Sequence, residues 1–325
     1  MSQARAALLG AALLLAGCGG GAGDRVCAAR SSSLAAREAA LSCWGDLAGS
    51  PRAPVLLVPG TTLDPASNFD WNYLPALRAL DWPHCTVELP DQAMGDIAVA
   101  AEFVAHGISQ AAARSGRRVQ VVGYSQGGLV PRWAFKYFPE TRAQVEELIS
   151  LSGSHHGTVI AEPTCLGQGC APAIWQQSDR SALIAALNEG GETYPEIDYS
   201  ALYTFFDEVV VPNTPPAPSS ALAGGENVVS LALQTVCPAN VADHLAIGSY
   251  DAVAWALVLD ALSHPGPVDP ARIDPAVCAQ PLMPGVNPQT FAADYLRYLN
   301  TVQTTLRESP RVPAEPALPC YAAAS

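Results

Sequence analysis

Short apolar runs alternate with longer amphipathic segments from residue 54 onward. Six runs have the length and apolar content of strands buried on both faces: PVLLVPG, CTVELP, RRVQVVGY, VEELISLSG, ALYTFF and NVVSLAL. Segments with helical periodicity lie between and after them: WNYLPALRAL, GDIAVAAEFVAHGISQAAARSG, SQGGLVPRWAFKYFP, the stretch from Ser181 to Leu187, IGSYDAVAWALVLDALSH and PQTFAADYLRYLNTVQTTL. The alternation predicts an α/β fold with a mostly parallel central sheet and helices on both faces.

Two segments interrupt this alternation. Residues 153–177 are rich in glycine and proline, which predicts a small cap at the surface rather than core. The proline-rich segment 212–218 has a domain linker as its alternative, but the strand pattern resumes directly after it, which favours a loop within one domain. Residues 51–325 are therefore predicted to form one α/β domain. Residues 19–50, with the short helical pattern LAAREAALSCW, are predicted to be an N-terminal linker or strap.

The first 18 residues resemble a bacterial lipoprotein signal. Arg5 precedes an apolar stretch too short to span a bilayer, and that stretch ends in small residues before Cys18. In such signals the cysteine is acylated and becomes the new N-terminus, which would give the protein a membrane contact through Cys18. The alternative is an ordinary secretory signal. Both alternatives predict export, either as a cell-envelope lipoprotein or as a secreted protein.

Composition narrows the classes of partner. Hydrophobic residues make up 49% of the chain and charged residues 14%, so a sizeable core is expected. The formal net charge is −13 and the chain has a single lysine, Lys136. This balance disfavours nucleic acid as a partner and also disfavours electrostatic docking on anionic lipids.

The cysteine count agrees with export. Removing Cys18 from the nine cysteines leaves eight, an even number that suits an oxidising compartment. Cys165 and Cys170 are close in a Gly/Pro-rich stretch and are expected to close a small loop. No CxxC pair and no suitably spaced histidine is present, so a metal site is not predicted.

The chemistry centres on Gly-Tyr-Ser-Gln-Gly at residues 123–127. A strand pattern precedes Ser125 and a helical pattern follows it, which is the context of a nucleophile elbow. The two flanking glycines are expected because a Cβ would collide with the strand or the helix. The alternative is an unreactive tight turn. Pro131 fits poorly, since it falls beyond the first turn of the predicted helix and removes a backbone hydrogen bond.

A serine hydroxyl needs a general base, and the downstream histidines are the candidates. His244 follows a strand and begins a helix-bearing loop, as expected for a base that comes last in chain order. His155 and His156 come too early and are interpreted as cap-loop or supporting residues. His264 is interpreted as a residue that caps the end of a helix.

The acid that orients this base is predicted to be Asp207, at the end of an apolar strand. Glu208 and Asp198 are its competitors, but Glu208 would point differently and Asp198 precedes the strand. An oxyanion hole is predicted from the backbone N–H of Gln126 and from the loop VPGTT, where Thr61 or Thr62 adds a hydroxyl.

Seven segments together resemble the Candida antarctica lipase B family of the α/β-hydrolase superfamily: PVLLVPGTT, YSQGGLVPRW, FPETRAQVEELIS, GTVIAEP, IWQQSDRSALIAAL, LYTFFDEVVVP and NVVSLALQTVCPANVADHLAIGS. The resemblance covers roughly Cys43 to Cys278 in the same order, and the chain diverges beyond about Leu306. It implies an α/β-hydrolase fold. It also implies Ser125, Asp207 and His244 as nucleophile, acid and base.

The resemblance implies further roles. Thr61 and Gln126 match the oxyanion hole, and Gln177 matches a polar residue of the acyl channel. Tyr124 replaces a tryptophan that walls the alcohol pocket, and Ser154 replaces an aspartate near the pocket mouth. The resemblance implies the disulfides Cys43–Cys85 and Cys237–Cys278, which leaves Cys165–Cys170 and Cys27–Cys320 as the remaining pairs.

The predicted function is a monomeric serine ester hydrolase of lipase type that acts on lipid-like esters and requires no cofactor. Further pocket residues are expected to be Thr158, Val159, Ile160, Val209 and Val210, whose apolar lining favours acyl chains. One alternative is an acyltransferase or polyester hydrolase with the same triad. Others are a non-catalytic lipid-binding lipoprotein and a peptidase.

Overall fold

Seven strands form the central sheet of the computed structural model, which describes residues 30–323. The spatial order is β1-β3-β2-β4-β5-β6-β7. The strands are β1 Leu41–Trp44, β2 Val55–Val58, β3 His84–Val87, β4 Val119–Tyr124, β5 Val145–Leu151, β6 Asp198–Tyr203 and β7 Val228–Ala232. Only β1 is antiparallel, against β3, and the other neighbours pair in parallel. The predicted mostly parallel sheet is confirmed.

Fourteen α-helical segments surround this sheet within residues 30–323: α1 Leu34–Ala39, α2 Pro65–Phe69, α3 Tyr73–Ala79, α4 Pro90–Ala93, α5 Ile97–Ser115, α6 Gln126–Tyr137, α7 Ala161–Cys165, α8 Pro172–Gln176, α9 Ala182–Asn188, α10 Leu233–Val236, α11 His244–Ile247, α12 Ala252–Ser263, α13 Phe291–Glu308 and α14 Cys320–Ala323. Within the same residues there are also three short 3₁₀ helices: Pro139–Gln144, Pro270–Arg272 and Pro275–Ala279. The longest predicted helix ends as expected, because Gly116 adopts a left-handed φ of 65° at its C-cap.

The sheet is covered on both faces. Successive residues of β4 point to opposite sides, so Val121 packs with α5 and α6 while Val122 packs with α3 and α12. One described segment, His244–Ser263, is long and apolar enough to span a membrane by length and composition. It comprises α11 and α12 and is mostly buried inside the protein, as is typical of a core helix.

A helical pattern was predicted as far as Trp44, and this prediction is wrong beyond Ala39, where α1 ends. Residues Leu41–Trp44 instead form the edge strand β1, with Cys43 directly opposite Cys85. The local helical pattern is outweighed by the strand pairing and by the Cys43–Cys85 disulfide. The sheet thus begins inside the segment that was predicted to be a strap.

The prediction of a surface cap for residues 153–177 is only partly right. The exposed part is short and centres on Val159, Ile160 and Leu166, which are 43%, 40% and 67% exposed. Ser154 and His155 are instead fully buried, because they enter the protein directly after β5. Composition alone could not distinguish a buried Gly/Ser/His turn from a surface loop.

Three predicted disulfides are present: Cys43–Cys85, Cys165–Cys170 and Cys237–Cys278. Cys320 is also disulfide-bonded. Its predicted partner Cys27 and the predicted lipidation site Cys18 both lie outside residues 30–323. The three bonds fit a protein that works in an oxidising, extracellular type of environment.

Candidate active site

Ser125 lies in a sharp turn between β4, which ends at Tyr124, and α6, which begins at Gln126. Its backbone has φ 54° and ψ −122°, a conformation that costs energy for any residue other than glycine. A Cβ at Gly123 would lie 2.0 Å from the Gly127 oxygen, and one at Gly127 would lie 2.2 Å from the Val58 oxygen. The two flanking glycines therefore permit the close crossing of strand and helix that was predicted. α6 continues through Pro131 to Tyr137 despite the missing N–H.

His244 reaches Ser125 from the segment that follows β7 and α10. It is the first residue of α11, whose N-terminus is capped by the Asp243 side chain. Its Nε2 lies 3.0 Å from Ser125 Oγ. Its Nδ1 lies 3.0 Å from Asp207 Oδ2 and 2.9 Å from Asp207 Oδ1. The three residues predicted to act together form one continuous chain of contacts.

Asp207 lies in the loop after β6, not at the end of a strand as predicted, because β6 ends at Tyr203. Its Oδ1 accepts backbone hydrogen bonds from Val209 (3.0 Å) and Val210 (2.7 Å). Its Oδ2 accepts a hydrogen bond from Asn213 Nδ2 at 3.0 Å. Asn213 was missed by sequence reasoning, since nothing in the proline-rich loop marks it as a partner of the acid.

These contacts set the charges. Burial alone would raise the pKa of Asp207, but His244 and the hydrogen bonds lower it below the ordinary value of an aspartate. Burial would lower the pKa of His244, and the Asp207 carboxylate outweighs burial and raises that pKa above its ordinary value. The site therefore keeps a carboxylate beside an imidazole that binds a proton readily.

The competing acids contact other atoms. Glu208 Oε2 accepts the backbone N–H of His244 at 3.0 Å, so it supports the segment rather than the imidazole. Asp198 is the first residue of β6 and thus lies at the opposite end of the sheet.

The competing histidines are also engaged away from Ser125. His155 Nε2 lies 2.9 Å from Ser150 Oγ, and His156 Nε2 lies 2.8 Å from Glu192 Oε1. His264 Nδ1 lies 2.9 Å from the Asp260 carbonyl oxygen, one turn back in α12, as predicted for a helix cap.

Four polar side chains form a network beside Ser125. Thr61 Oγ1 donates to Gln126 Oε1 at 2.8 Å, and Gln177 Nε2 donates to Thr61 Oγ1 at 3.0 Å. Ser154 Oγ donates to Gln177 Oε1 at 2.9 Å, which fixes the amide so that its NH₂ faces Thr61. Gln126 is the first residue of α6, so its backbone N–H is free of intrahelical bonding.

A cavity of about 200 Å³ opens at Ser125 and His244. Its lining includes the predicted residues Thr61, Tyr124, Ser154, Thr158, Ile160, Gln177, Val209 and Val210. The lining does not include Val159, which points to solvent. Sequence reasoning missed the wall formed by α13, with Tyr298, Val302 and Leu306. The amphipathic pattern of α13 could have indicated a helix with one apolar face, but not which surface that face covers.

The chain is similar to known lipases in both sequence and structure. The sequence is 36% identical to Lipase B of Pseudozyma antarctica over 211 residues, which cover 64% of this chain and 61% of that lipase. The structure matches that of Aspergillus fumigatus lipase B with a TM-score of 0.82 and 31% identity, covering 90% of this chain and 72% of that one. The chain spans less than two thirds of the Pseudozyma antarctica lipase but 72% of the Aspergillus fumigatus one, at 31% identity, and it belongs to the lipase B family. The resemblance and the α/β-hydrolase fold class are thereby confirmed.

A family model of palmitoyl protein thioesterase also matches residues 88–200, a range that includes Ser125 but neither Asp207 nor His244. Among residues 30–323, no group of three or more His, Cys, Asp or Glu side chains is arranged to hold a metal ion.

The two residues predicted to depart from the lipase B pattern, Tyr124 and Ser154, line the cavity. Tyr124 is 2% exposed, and its ring centroid is 5.2 Å from that of His244. Ser154 is 1% exposed, and its hydroxyl donates a hydrogen bond to Gln177 instead of facing solvent. Both departures therefore touch groups that surround the reacting atoms.

Proposed function

We propose that this chain hydrolyses carboxylic esters of lipid-like substrates, with Ser125 as nucleophile, His244 as general base and Asp207 as the acid that orients it. The observation that carries the proposal is the continuous contact chain from Asp207 through His244 to Ser125, which ends in an apolar cavity. A serine is inert without such a base, and a base in this position is useful only if its tautomer is fixed.

The reaction runs through an acyl-enzyme. His244 Nε2 accepts the Ser125 proton while Ser125 Oγ attacks the ester carbonyl carbon. The oxygen of the tetrahedral intermediate accepts hydrogen bonds from the backbone N–H groups of Thr61 and Gln126. The C–O bond to the alcohol then breaks, and the alcohol leaves with the proton from His244. Water then attacks the acyl-enzyme in the same way, with His244 again as the base, and the carboxylic acid product is released from Ser125.

The charges of the site suit this cycle. Each proton transfer to His244 creates an imidazolium, and the Asp207 carboxylate lies within 3.0 Å of Nδ1 to stabilise it. Asp207 remains ionised because the charge of His244 and the hydrogen bonds that the carboxylate accepts hold its pKa below the ordinary value. The imidazole consequently returns to the same orientation after each transfer.

The substrate class follows from the lining of the cavity. Ile160, Val209, Val210, Val302 and Leu306 contribute apolar side chains to it, which favours acyl chains over charged groups. Tyr124 lies next to Ser125, where the lipase B resemblance implies the alcohol pocket, so it is proposed to limit the size of the alcohol. Water and alcohols compete for the same acyl-enzyme, so product analysis with added alcohol separates hydrolysis from acyl transfer.

Export is part of the same proposal. The three described disulfides suit an oxidising compartment, and Cys18 is the proposed acylation site of a lipoprotein. Metabolic labelling with a fatty-acid analogue, compared between the wild type and Cys18→Ala, tests that step.

Hydrolysis is tested with p-nitrophenyl esters of increasing chain length. The purified wild type is expected to hydrolyse them, and Ser125→Ala is expected to lose at least about 10³-fold in kcat. Ser109→Ala is the matched control, because Ser109 lies on α5 and its hydroxyl binds Gln144. Hydrolysis that persists in Ser125→Ala would overturn the proposal.

A further inference from the structure

The side chain of Tyr124 connects segments that carry different parts of the proposed active site. Its hydroxyl donates a hydrogen bond to the backbone oxygen of His244 at 3.1 Å. The hydroxyl of Tyr298, on the α13 wall of the cavity, donates in turn to the Tyr124 hydroxyl at 3.4 Å. Tyr124 itself directly precedes Ser125, so one side chain touches the base segment while its backbone holds the nucleophile.

The Tyr124 ring is also packed tightly between two glycines. A Cβ at Gly60, just before Thr61, would lie 2.7 Å from Tyr124 Cδ1. A Cβ at Gly248, just after α11, would lie 2.1 Å from Tyr124 Cδ2. Neither glycine has a left-handed φ, so the backbone does not require glycine there. Close approach of the ring explains both positions.

A buried amide bridges the same two segments. Asn68 is fully buried; its Oδ1 accepts the Gly60 N–H at 3.0 Å and its Nδ2 donates to the Gly248 oxygen at 3.5 Å. The loop before Thr61 and the end of the His244 helix are therefore tied together twice, once by Asn68 and once by the ring of Tyr124.

We propose that Tyr124 is a positioning residue that fixes the His244 segment relative to Ser125 and the Thr61 loop, in addition to any contact with the alcohol. α11 has only four residues, so its own hydrogen bonds hold the imidazole weakly. The Tyr124 hydroxyl supplies an anchor at the residue that bears the imidazole. This role rests on the proposed ester hydrolysis, since it acts through the base of that reaction.

The hydroxyl stays a donor over the working pH range. Burial raises the pKa of Tyr124 well above that of a free tyrosine, and Tyr298 adds to the shift. The anchor therefore does not titrate, and its loss requires a substitution.

The test compares Tyr124→Phe with the wild type, because phenylalanine keeps the packed ring and removes only the hydroxyl. We expect kcat for a p-nitrophenyl ester to fall about tenfold, as for a catalytic group displaced by a fraction of an ångström, with KM changed less than about twofold. The rate of Ser125 labelling by a fluorophosphonate should fall by a similar factor. Tyr73→Phe is the matched control: Tyr73 is equally buried and packs on Trp255, and its hydroxyl has no hydrogen-bond partner within the described part of the chain.

A second variant tests the mechanism of the effect. Gly248→Ala places a Cβ against the ring and should displace it, so adding Tyr124→Phe to Gly248→Ala should slow labelling by less than about twofold. A further tenfold loss would overturn the proposal.

The remaining outcomes are decisive as well. Unchanged kcat and labelling in Tyr124→Phe would overturn the positioning role, and so would a raised KM with unchanged kcat. If the fluorophosphonate labels Ser125 of the wild type but the enzyme does not turn over esters, only the proposed function is overturned. The labelling rates of the wild type and Tyr124→Phe then still decide the role of Tyr124.

Discussion

Asp207 and Glu147 are both buried carboxylates, 9% and 2% exposed, at opposite ends of the same sheet. Asp207 lies beyond the carboxyl end of β6, where loops supply hydrogen-bond donors. Glu147 is the third residue of β5, near the amino end, where its neighbours are the other strands. The two residues thus show what different surroundings do to the same chemical group.

The donors differ in number. Asp207 accepts two backbone N–H groups and one amide, and it contacts the His244 ring. Among residues 30–323, the Glu147 side chain accepts a hydrogen bond from Ser200 alone. The nearby guanidinium of Arg272 is held by Asp260, with Nε and Nη2 at 2.7 and 2.8 Å from its two oxygens.

Because of these surroundings, Glu147 is protonated near neutral pH while Asp207 is ionised. Burial raises the pKa of Glu147 to about 8, and the negative charges of Asp198, Glu146 and Asp260 add to it against the single Ser200 bond. The pKa of Asp207 is lowered in spite of burial. Burial alone therefore does not decide the charge of a carboxylate; around Asp207, the charge of His244 and the hydrogen-bond donors outweigh it.

The largest effect is expected from Asp207→Asn. An amide cannot stabilise the imidazolium, and its NH₂ favours the tautomer in which Nε2 carries the proton and cannot accept from Ser125. We expect kcat to fall about 10³- to 10⁴-fold with little change in KM. Glu208→Gln is the control, since Glu208 touches only the backbone of His244, and it should lose less than about tenfold. Equal losses of kcat in Asp207→Asn and Glu208→Gln would contradict the special role assigned to the Asp207 carboxylate.

The pH profile should show the raised pKa of His244. The base works only when neutral, and its pKa lies above the ordinary 6.5, so kcat/KM should fall about tenfold per pH unit on an acid limb centred above pH 6.5. A limb centred below 6.5 in an ester assay would show that the Asp207 charge does not outweigh burial.

The smallest effect is expected from Glu147→Gln. Unfolded Glu147 ionises near 4.5 while the folded side chain keeps its proton to about pH 8, so the wild type loses stability as pH rises between these values. Glutamine avoids this loss and still accepts from Ser200. We expect its Tm to exceed that of the wild type by roughly 2–5 °C at pH 9 and to match it near pH 4. Glu146→Gln, the half-buried neighbour, is the control, and an unchanged Tm of Glu147→Gln at pH 9 would contradict the assigned charge state.

Much of this arrangement could be predicted from the chain. Strand runs, helix periodicity and Gly116 gave the parallel sheet and the limits of α5, because burial on two faces and left-handed caps leave strong local signals. Gly123, Ser125 and Gly127 indicated the elbow for a similar reason, since only glycine tolerates the crossing found there. The order of Asp207 and His244 along the chain then selected the partners that the structure brings within 3.0 Å.

Other features were decided only by tertiary structure. Leu41–Trp44 has a helical pattern and yet forms a strand, because pairing with β3 outweighs local preference. Tyr298 reaches Tyr124, and α13 covers the cavity, across long stretches of sequence that carry no marker of the contact. Asn213 reaches Asp207 within one loop, but only the fold of that loop brings its amide to the carboxylate. The sequence by itself determined the sheet, the elbow and the identity of the reactive groups. Only folding decided the charge of each carboxylate, since that depends on its burial and on neighbours such as His244, which the fold brings to Asp207 from another loop.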